Sequence, residues 1–131
     1  MSGVGYELTV GIVKLLLENL PTGLQPQRES LAKCLEALGR VARVRAVYLF
    51  GSHARGEARP DSDVDLCIVA DGAERQLEAA GKWRKAMRSV WPRPAFTLIP
   101  ITPTRLAEKQ ARHDHFFATV LKEGVLLATQ D

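Results

Sequence analysis

The chain has 131 residues, enough for one domain with a buried core, and its hydrophobic (46%) and charged (25%) fractions are typical of a soluble globular protein. The formal net charge of +3 is mild, no apolar run reaches the roughly 18 residues of a membrane span, and the first residues lack the basic region of a signal peptide. Cys34 and Cys67 form no disulfide framework or metal-binding spacing, so we expect two small core residues and a cytoplasmic protein.

The first part of the chain is predicted to be helical. Apolar residues recur at helical spacing over residues 6–19, and Pro21 and Pro26 then interrupt the pattern. We therefore expect residues 1–26 to form an N-terminal helix and linker that precede a domain at 27–131. A second helix is predicted from about Gln27 to Leu38, before Gly39.

Strands and helices alternate over the rest of the chain. The predicted elements are, in order, a strand at 44–50, a strand at 63–70, a helix at 73–90, a strand at 95–101, a helix that begins at Pro103, a helix at 113–123 and a strand at 125–128. The apolar run of the second strand predicts burial on both faces. Trp83 and Trp91 are expected in the core or at its edge. The order of elements predicts an α/β (α+β) fold in which helices flank a small mixed sheet.

A glycine-rich turn follows the first predicted strand. Gly51 and Gly56 permit tight turns and let backbone N–H groups approach an anion closely, and Ser52 adds a hydroxyl donor. Arg55 adds a positive charge. Gly-Ser turns are common, so the turn alone does not identify a phosphate site.

Two carboxylates lie a short distance after this turn. Asp63 and Asp65 are two residues apart at the start of a strand, so both side chains leave the same face and Val64 points to the other. Two like charges held so close together favour a cation between them. Mg²⁺ prefers oxygen ligands and leaves coordination positions to phosphates, and two metals about 4 Å apart can hold both oxygens of an in-line displacement.

The stretch from Gly51 to Leu66, GSHARGEARPDSDVDL, resembles the minimal nucleotidyltransferases of the polymerase-beta superfamily, and the resemblance extends from about residue 28 to 128. It implies Mg²⁺ (or Mn²⁺) at Asp63 and Asp65, which would be the catalytic residues. It also implies transfer of a nucleoside monophosphate, usually AMP from ATP, to an acceptor hydroxyl. The nucleotide contacts that it implies are Gly51, Ser52, Arg55, Gly56 and Ser62.

Members of this family usually carry a third carboxylate on the next long strand, in the pattern apolar-Asp-apolar-apolar-Pro. Here the segment reads Phe96-Thr97-Leu98-Ile99-Pro100, so Thr97 stands where the acid is expected. A threonine is a poor base and a poor ligand, and the loss of a general base alone costs roughly 10²–10⁴ in rate. Nucleotide binding is therefore better supported than turnover.

Two further functions compete with the enzyme. Members this small resemble the antitoxin partner of HEPN-domain ribonucleases, some of which are adenylylated on tyrosine, and the chain shows no second domain for a small-molecule acceptor. One alternative is a catalytically weak nucleotide-binding module that acts by binding such a partner; the other is self-association through the helix at 6–19. Nucleic acid is not expected as a partner, because aromatic residues are not interleaved with the basic ones.

Single histidines give weaker signals. His53 is interpreted as a turn residue at the rim of the pocket. His113 and His115 are two residues apart, so we expect them to face different ways near a helix start and not to share a metal.

Overall fold

The computed structural model describes residues 13–130, and the core of this region is a single sheet. Its strands are β1 (Val13–Leu15), β2 (Arg43–Phe50), β3 (Val64–Asp71), β4 (Phe96–Ile101) and β5 (Val125–Gln130). They lie in the order β1-β5-β2-β3-β4, with β3 and β4 parallel and the other neighbours antiparallel. The mixed sheet predicted from the sequence is confirmed.

Five α-helices accompany the sheet in this region. They are α1 (Arg28–Val41), α2 (Gly51–Arg55), α3 (Gln76–Met87), α4 (Pro103–Ala111) and α5 (His115–Glu123). The prediction that Pro103 opens a helix is confirmed: it occupies the first turn of α4, and the Thr102 side chain caps that helix by accepting from the Arg105 N–H at 3.1 Å. The predicted helix at 113–123 begins only at His115, because His113 has a positive φ of 56° and lies in the turn before it.

The helices form a layer on each face of the sheet. The larger core packs α1 and α3 against one face, where Leu66 and Ile68 of β3 lie. The smaller core packs α4 and α5 against the other face, where Cys67 and Val69 lie. All four side chains of this central strand are almost fully buried, which confirms the prediction that β3 is covered on both faces.

The predicted N-terminal helix is wrong over the residues that the structure describes. Its first part, residues 6–12, lies outside the described region, but Val13–Leu15 form the edge strand β1 and Leu17–Asn19 form a 3₁₀ turn. The edge of β5 offers hydrogen-bond partners to the backbone of residues 13–15, and β1 pairs with this edge antiparallel. Leu20 and Leu24 then enter the larger core, so residues 13–26 are joined to the domain and do not form a separate helix and linker.

The cysteines and one of the two tryptophans are core residues, as predicted. Cys34, Cys67 and Trp83 are each at most 2% exposed, and burial raises the pKa of the Cys67 thiol to about 12, so that it stays neutral. The prediction for Trp91 is wrong, because its side chain is 81% exposed. It lies after the end of α3, in the turn Trp91-Pro92-Arg93-Pro94, which carries it out of the core. Within residues 13–130, no helix has the length and apolar character needed to cross a membrane.

Candidate functional site

The glycine-rich turn lies at the carboxyl end of β2. Gly51 follows the strand directly with φ +75° and begins the short helix α2, and Gly56 ends that helix with φ +72°. Both values lie in the left-handed region that favours glycine. The Ser52 carbonyl accepts a hydrogen bond from the Glu57 N–H at 2.9 Å, which closes the turn. The two glycines therefore have the tight conformations that the sequence predicted for them.

Gly51 lies directly against the side chain of Asp65. Phe50, the residue before it, is the cross-strand neighbour of Asp65 in the β2–β3 pair. A Cβ atom on Gly51 would collide with Oδ2 of Asp65. Glycine at position 51 therefore lets the turn approach the carboxylate, and the two halves of the motif meet at one point although 13 positions separate them in the chain.

The two carboxylates and Thr97 come together where β3 and β4 begin. Asp63 immediately precedes β3, Asp65 is the second residue of that strand, and Val64 between them is buried in the core. Because β4 runs parallel to β3, Thr97 pairs with Asp65 across the strands. The Thr97 hydroxyl donates a hydrogen bond to Oδ2 of Asp63 at 3.1 Å. The structure therefore places Thr97 beside both carboxylates.

The surroundings of Asp65 disfavour its negative charge. Burial raises the pKa of Asp65 above its ordinary value, and the charge of Asp63 raises it further, whereas the neighbouring Thr97 hydroxyl and the charges of His53 and Arg55 act in the opposite direction. A carboxylate pair of this kind gains from a nearby cation.

The residues fit a magnesium ion that takes part of its coordination from a bound nucleotide. Within residues 13–130, no group of three or more His, Cys, Asp or Glu side chains is arranged to hold a metal ion. Two carboxylates are nevertheless a sufficient protein contribution for Mg²⁺, which commonly completes its shell with water and substrate phosphates. Asp63 and Asp65 would be the ligands, and Thr97 would add only a neutral hydroxyl.

Two of the predicted nucleotide contacts have structural partners of their own. The Ser62 hydroxyl accepts the Arg59 N–H at 2.8 Å, so it stabilises the loop before Asp63. The exposed Arg55 side chain forms an ion pair with Glu57, with 2.9 Å between Nε and Oε1. Both side chains therefore already have a partner within the protein.

Two contacts that support the site were not predicted from the sequence. Nε2 of His53 lies 3.2 Å from the Ser62 carbonyl oxygen and so ties α2 to the loop before Asp63. The Phe116 ring on α5 packs edge-on against Phe50, with centroids 5.6 Å apart. The spacing within the motif could have suggested the first contact. No local pattern could have suggested the second, which joins residues far apart in the chain.

A cleft of about 1060 Å³ occupies the same face of the sheet as Asp65 and Thr97, toward the opposite end of the strands. Ile99, two residues after Thr97 on β4, and Phe116 contribute to its lining. Arg45 and Asp71 in its wall form an ion pair at 3.0 Å. The cleft is therefore an open space with charged residues of both signs, on the carboxylate face of the sheet but at the other end of the strands.

Comparison with known families decides the identity of the domain. The family described as nucleotidyltransferase domain matches residues 29–122, which is more than half of the chain. The chain belongs to the nucleotidyltransferase domain family. The matched part includes the Gly51 turn, both carboxylates and Thr97, and it extends from α1 into α5. No curated protein and no solved structure matches the nucleotidyltransferase chain.

Proposed function

We propose that the protein is a Mg²⁺-dependent nucleotidyltransferase that moves a nucleoside monophosphate to an acceptor hydroxyl. The proposed nucleotide is ATP, from which AMP is transferred. The observation that carries this proposal is the approach of Asp65 to Gly51 beside Asp63. It brings a carboxylate pair next to a glycine turn in a domain of the nucleotidyltransferase family. Family membership supports nucleotidyl transfer in general, and the metal and the nucleotide are part of the proposal.

The proposed reaction is one displacement at phosphorus. The acceptor oxygen forms a bond to the α-phosphorus, the bond from that phosphorus to the oxygen bridging it to the β-phosphate breaks, and pyrophosphate leaves with the bonding electrons. The acceptor proton passes to water, because Thr97 cannot accept it. Mg²⁺ at Asp63 and Asp65 would neutralise charge on the phosphate oxygens. The two carboxylates therefore act as ligands, and the turn at Gly51 and Ser52 holds the triphosphate.

The proposed acceptor is a tyrosine of a partner protein of the HEPN class, in the cytoplasm. The resemblance to minimal nucleotidyltransferases supports this partner, and the cleft beside β4 supports a side-chain acceptor. The charged residues that line it are balanced, three of each sign, and four of them form ion pairs: Arg45 with Asp71 at 3.0 Å and Arg105 with Glu108 at 3.3 Å. A neutral phenol can enter a charge-balanced cleft without leaving either sign of charge unpaired.

Labelled ATP tests the proposal directly. The full chain is incubated with Mg²⁺ or Mn²⁺ and ATP labelled either at the α- or at the γ-phosphate, with and without a candidate HEPN partner. We expect the α-label but not the γ-label to become covalently attached, and pyrophosphate to be released. Transfer of the γ-label instead would show a kinase and overturn the proposal.

Three variants connect any transfer to the site. Asp63→Asn and Asp65→Asn should each reduce transfer by at least about 10²-fold, because each removes a charged ligand of the metal that stabilises the transition state. Asp61→Asn is the matched control: Asp61 is an exposed carboxylate in the same loop, and its loss should leave transfer unchanged. Equal rates in all four proteins would exclude the carboxylate pair as the active site.

A nucleotide-binding module without turnover is the second candidate, and Thr97 is the observation that favours it. Calorimetric titration with ATP and Mg²⁺ separates the two functions. Saturable binding that is lost in Asp65→Asn, without α-label transfer to any acceptor tried, would support the module. Transfer at any rate that depends on Asp63 and Asp65 would support the enzyme.

A further inference from the structure

One long segment of the chain carries positive charge only. Between Glu78 and Glu108, residues 79–107 contain no aspartate or glutamate. The basic residues of this segment are Lys82, Arg84, Lys85, Arg88, Arg93 and Arg105. The net charge of the whole chain is mild, but this segment has a strong local excess of positive charge, which begins on α3 and continues into the turn before β4.

Part of this charge surrounds a pocket. A cavity of about 370 Å³ lies between the end of α3 and the start of β4, and Arg84, Arg88 and Arg93 line it without any acidic residue. Arg84 and Arg88 are four residues apart, so they lie on the same side of the chain at the end of the helix. Within residues 13–130, none of the three arginines forms an ion pair. Their positive charge is available to an anionic ligand.

Neutral backbone groups hold two of these arginines in place. Nη1 of Arg84 donates to the Phe96 carbonyl at 3.0 Å, and Nη1 of Arg93 donates to the Val90 carbonyl at 3.1 Å. Such bonds fix the position of a guanidinium group but leave its charge uncompensated. The other N–H groups of each fork can still donate to a phosphate.

An exposed aromatic ring completes the pocket. Trp91 lines the same cavity and is 81% exposed. The Arg93 guanidinium carbon lies 5.8 Å from the centroid of the Trp91 ring, in cation–π contact. The exposure of the side chain leaves ring surface free for another planar group. A large, exposed aromatic side chain beside three arginines is a combination that stacking sites for nucleic-acid bases use.

We propose that the pocket formed by Arg84, Arg88, Trp91 and Arg93 binds single-stranded nucleic acid, with a base stacked on Trp91 and phosphates at the arginines. Each nucleotide supplies both a planar ring and an anion, whereas an acidic peptide supplies a planar ring only at occasional positions. From the sequence, nucleic acid was not expected as a partner, because aromatic residues are not interleaved with the basic ones. The fold provides that arrangement by placing Trp91 outside the core.

The pocket and the carboxylates lie at the same end of β3 and β4, but on opposite faces of the sheet. The pocket lining includes Ala95 and Phe96, the two residues before Thr97. The Ala95 carbonyl accepts the N–H of Val64, which lies between Asp63 and Asp65, at 2.9 Å. The pocket is therefore linked through the backbone to the strand that carries the carboxylates. The binding itself does not rest on that transfer, and it is measured without nucleotide triphosphate or metal.

Fluorescence anisotropy with the full chain tests the pocket. The probe is a fluorescein-labelled oligouridylate of about twelve nucleotides, within the site sizes of single-strand binders. Binding should weaken as salt rises, with a logarithmic slope of about −2 for three phosphate contacts. Trp91→Ala should weaken binding by about 5- to 150-fold, which corresponds to the roughly 1–3 kcal/mol typical for loss of a stacked base. Arg88→Gln should reduce the slope by about 0.7.

Two variants control for general effects of charge and exposure. Leu77→Ala removes an apolar side chain that is 91% exposed and lies at the other end of α3. Arg112→Gln removes an exposed positive charge just after α4, on the opposite face of the sheet. Both should bind the oligouridylate like the wild type. Circular dichroism confirms that every variant is folded.

Three results would each overturn the proposal. The first is no binding of the oligouridylate at about 50 mM salt, where phosphate contacts are strong. The second is unchanged affinity in Trp91→Ala and Arg88→Gln. The third is equal competition by polyglutamate or by a duplex of the same length, which would assign the pocket to acidic proteins or to general charge attraction. Loss of α-label transfer in the same variants would bear on the proposed function and not on this binding.

Discussion

The Thr97 hydroxyl donates a hydrogen bond to Oδ2 of Asp63 at 3.1 Å, and Thr97 is also the cross-strand neighbour of Asp65. A side chain at position 97 therefore lies against both carboxylates. An aspartate there would add a third negative charge to the pair, which only a bound cation could offset. Threonine instead satisfies one carboxylate with a neutral donor. Threonine at position 97 thus makes the site easier to fold without metal. It also makes the site a weaker ligand set for a metal and leaves it without a proton acceptor at this position.

Thr97→Asp should raise nucleotidyl transfer in Mg²⁺ or Mn²⁺ by at least about tenfold, since a positioned general base is worth roughly 10²–10⁴. The measurement is the rate of α-label transfer. Thr97→Asn, of similar size but neutral, is the control and should give no increase. An unchanged or lower rate in Thr97→Asp, with ATP binding intact, would show that position 97 is not the place of the missing carboxylate.

The sequence predicted which residues would lie close together better than it predicted their contacts. Gly51, Asp63 and Asp65 were identified because turn conformation and strand alternation are local properties, and the fold brings them together. The sequence did not predict that the Ser62 hydroxyl would accept a hydrogen bond from the Arg59 N–H. Nor did it predict the ion pair between Arg55 and Glu57, since side-chain partners in a loop depend on the detailed path of the loop.

Gly51→Ala should disturb the site more than Gly56→Ala. Both glycines have φ near +70°, so an alanine is strained at either position by about 1–2 kcal/mol. Only at Gly51 would the added methyl group collide with Asp65, whereas Gly56 has open space around its Cα. Titration with ATP and Mg²⁺ should show a large loss of affinity for Gly51→Ala and a small one for Gly56→Ala. Equal losses would mean that the approach of Gly51 to Asp65 does not matter for binding.

The fold shows where local pattern was overridden by tertiary contacts. Over residues 13–15 the predicted helix at 6–19 is replaced by a strand, because this segment can pair with the edge of β5. The helical spacing of apolar residues gives no information about that edge. Trp91 was expected inside on the basis of residue type, but the turn that contains it leads out of the core. The strands β2, β3 and β4 have strong local patterns, and each prediction for them was correct to within one residue.

Gly81→Ala should stabilise the domain. Gly81 lies within α3 and is exposed, and a methyl group added to it would meet no other atom within 4 Å. Alanine in a helix interior is favoured over glycine by about 0.5–1 kcal/mol, so the free energy of unfolding in urea should rise by that amount. Gly23→Ala, also in open space but in a 3₁₀ turn, is the comparison and should change it less. A destabilised Gly81→Ala protein would indicate that the exposed side of α3 is in contact with something else.

Asp114→Ala should destabilise the domain in a way that disappears in acid. The Asp114 carboxylate caps α5 by accepting the Phe117 N–H at 3.0 Å. That hydrogen bond, with a smaller contribution from the charge of Lys109, holds the pKa of Asp114 below its ordinary value. A lowered carboxyl pKa in the folded state adds stability above the unfolded pKa, and this stability is lost as pH falls through the folded pKa.

The thermal melting of wild type and variants over a pH series tests this linkage. At neutral pH Asp114→Ala should melt a few degrees lower than the wild type, the effect expected for loss of a helix cap. The difference should begin to shrink below about pH 4, the pKa of an unfolded aspartate, and should vanish once the pH falls below the lowered pKa of the folded Asp114 carboxylate. Asp114→Asn keeps an uncharged oxygen acceptor for the Phe117 N–H, so it should lose less stability at neutral pH. A constant difference between wild type and Asp114→Ala at every pH would show that shape at the cap, and not the charge of Asp114, stabilises α5.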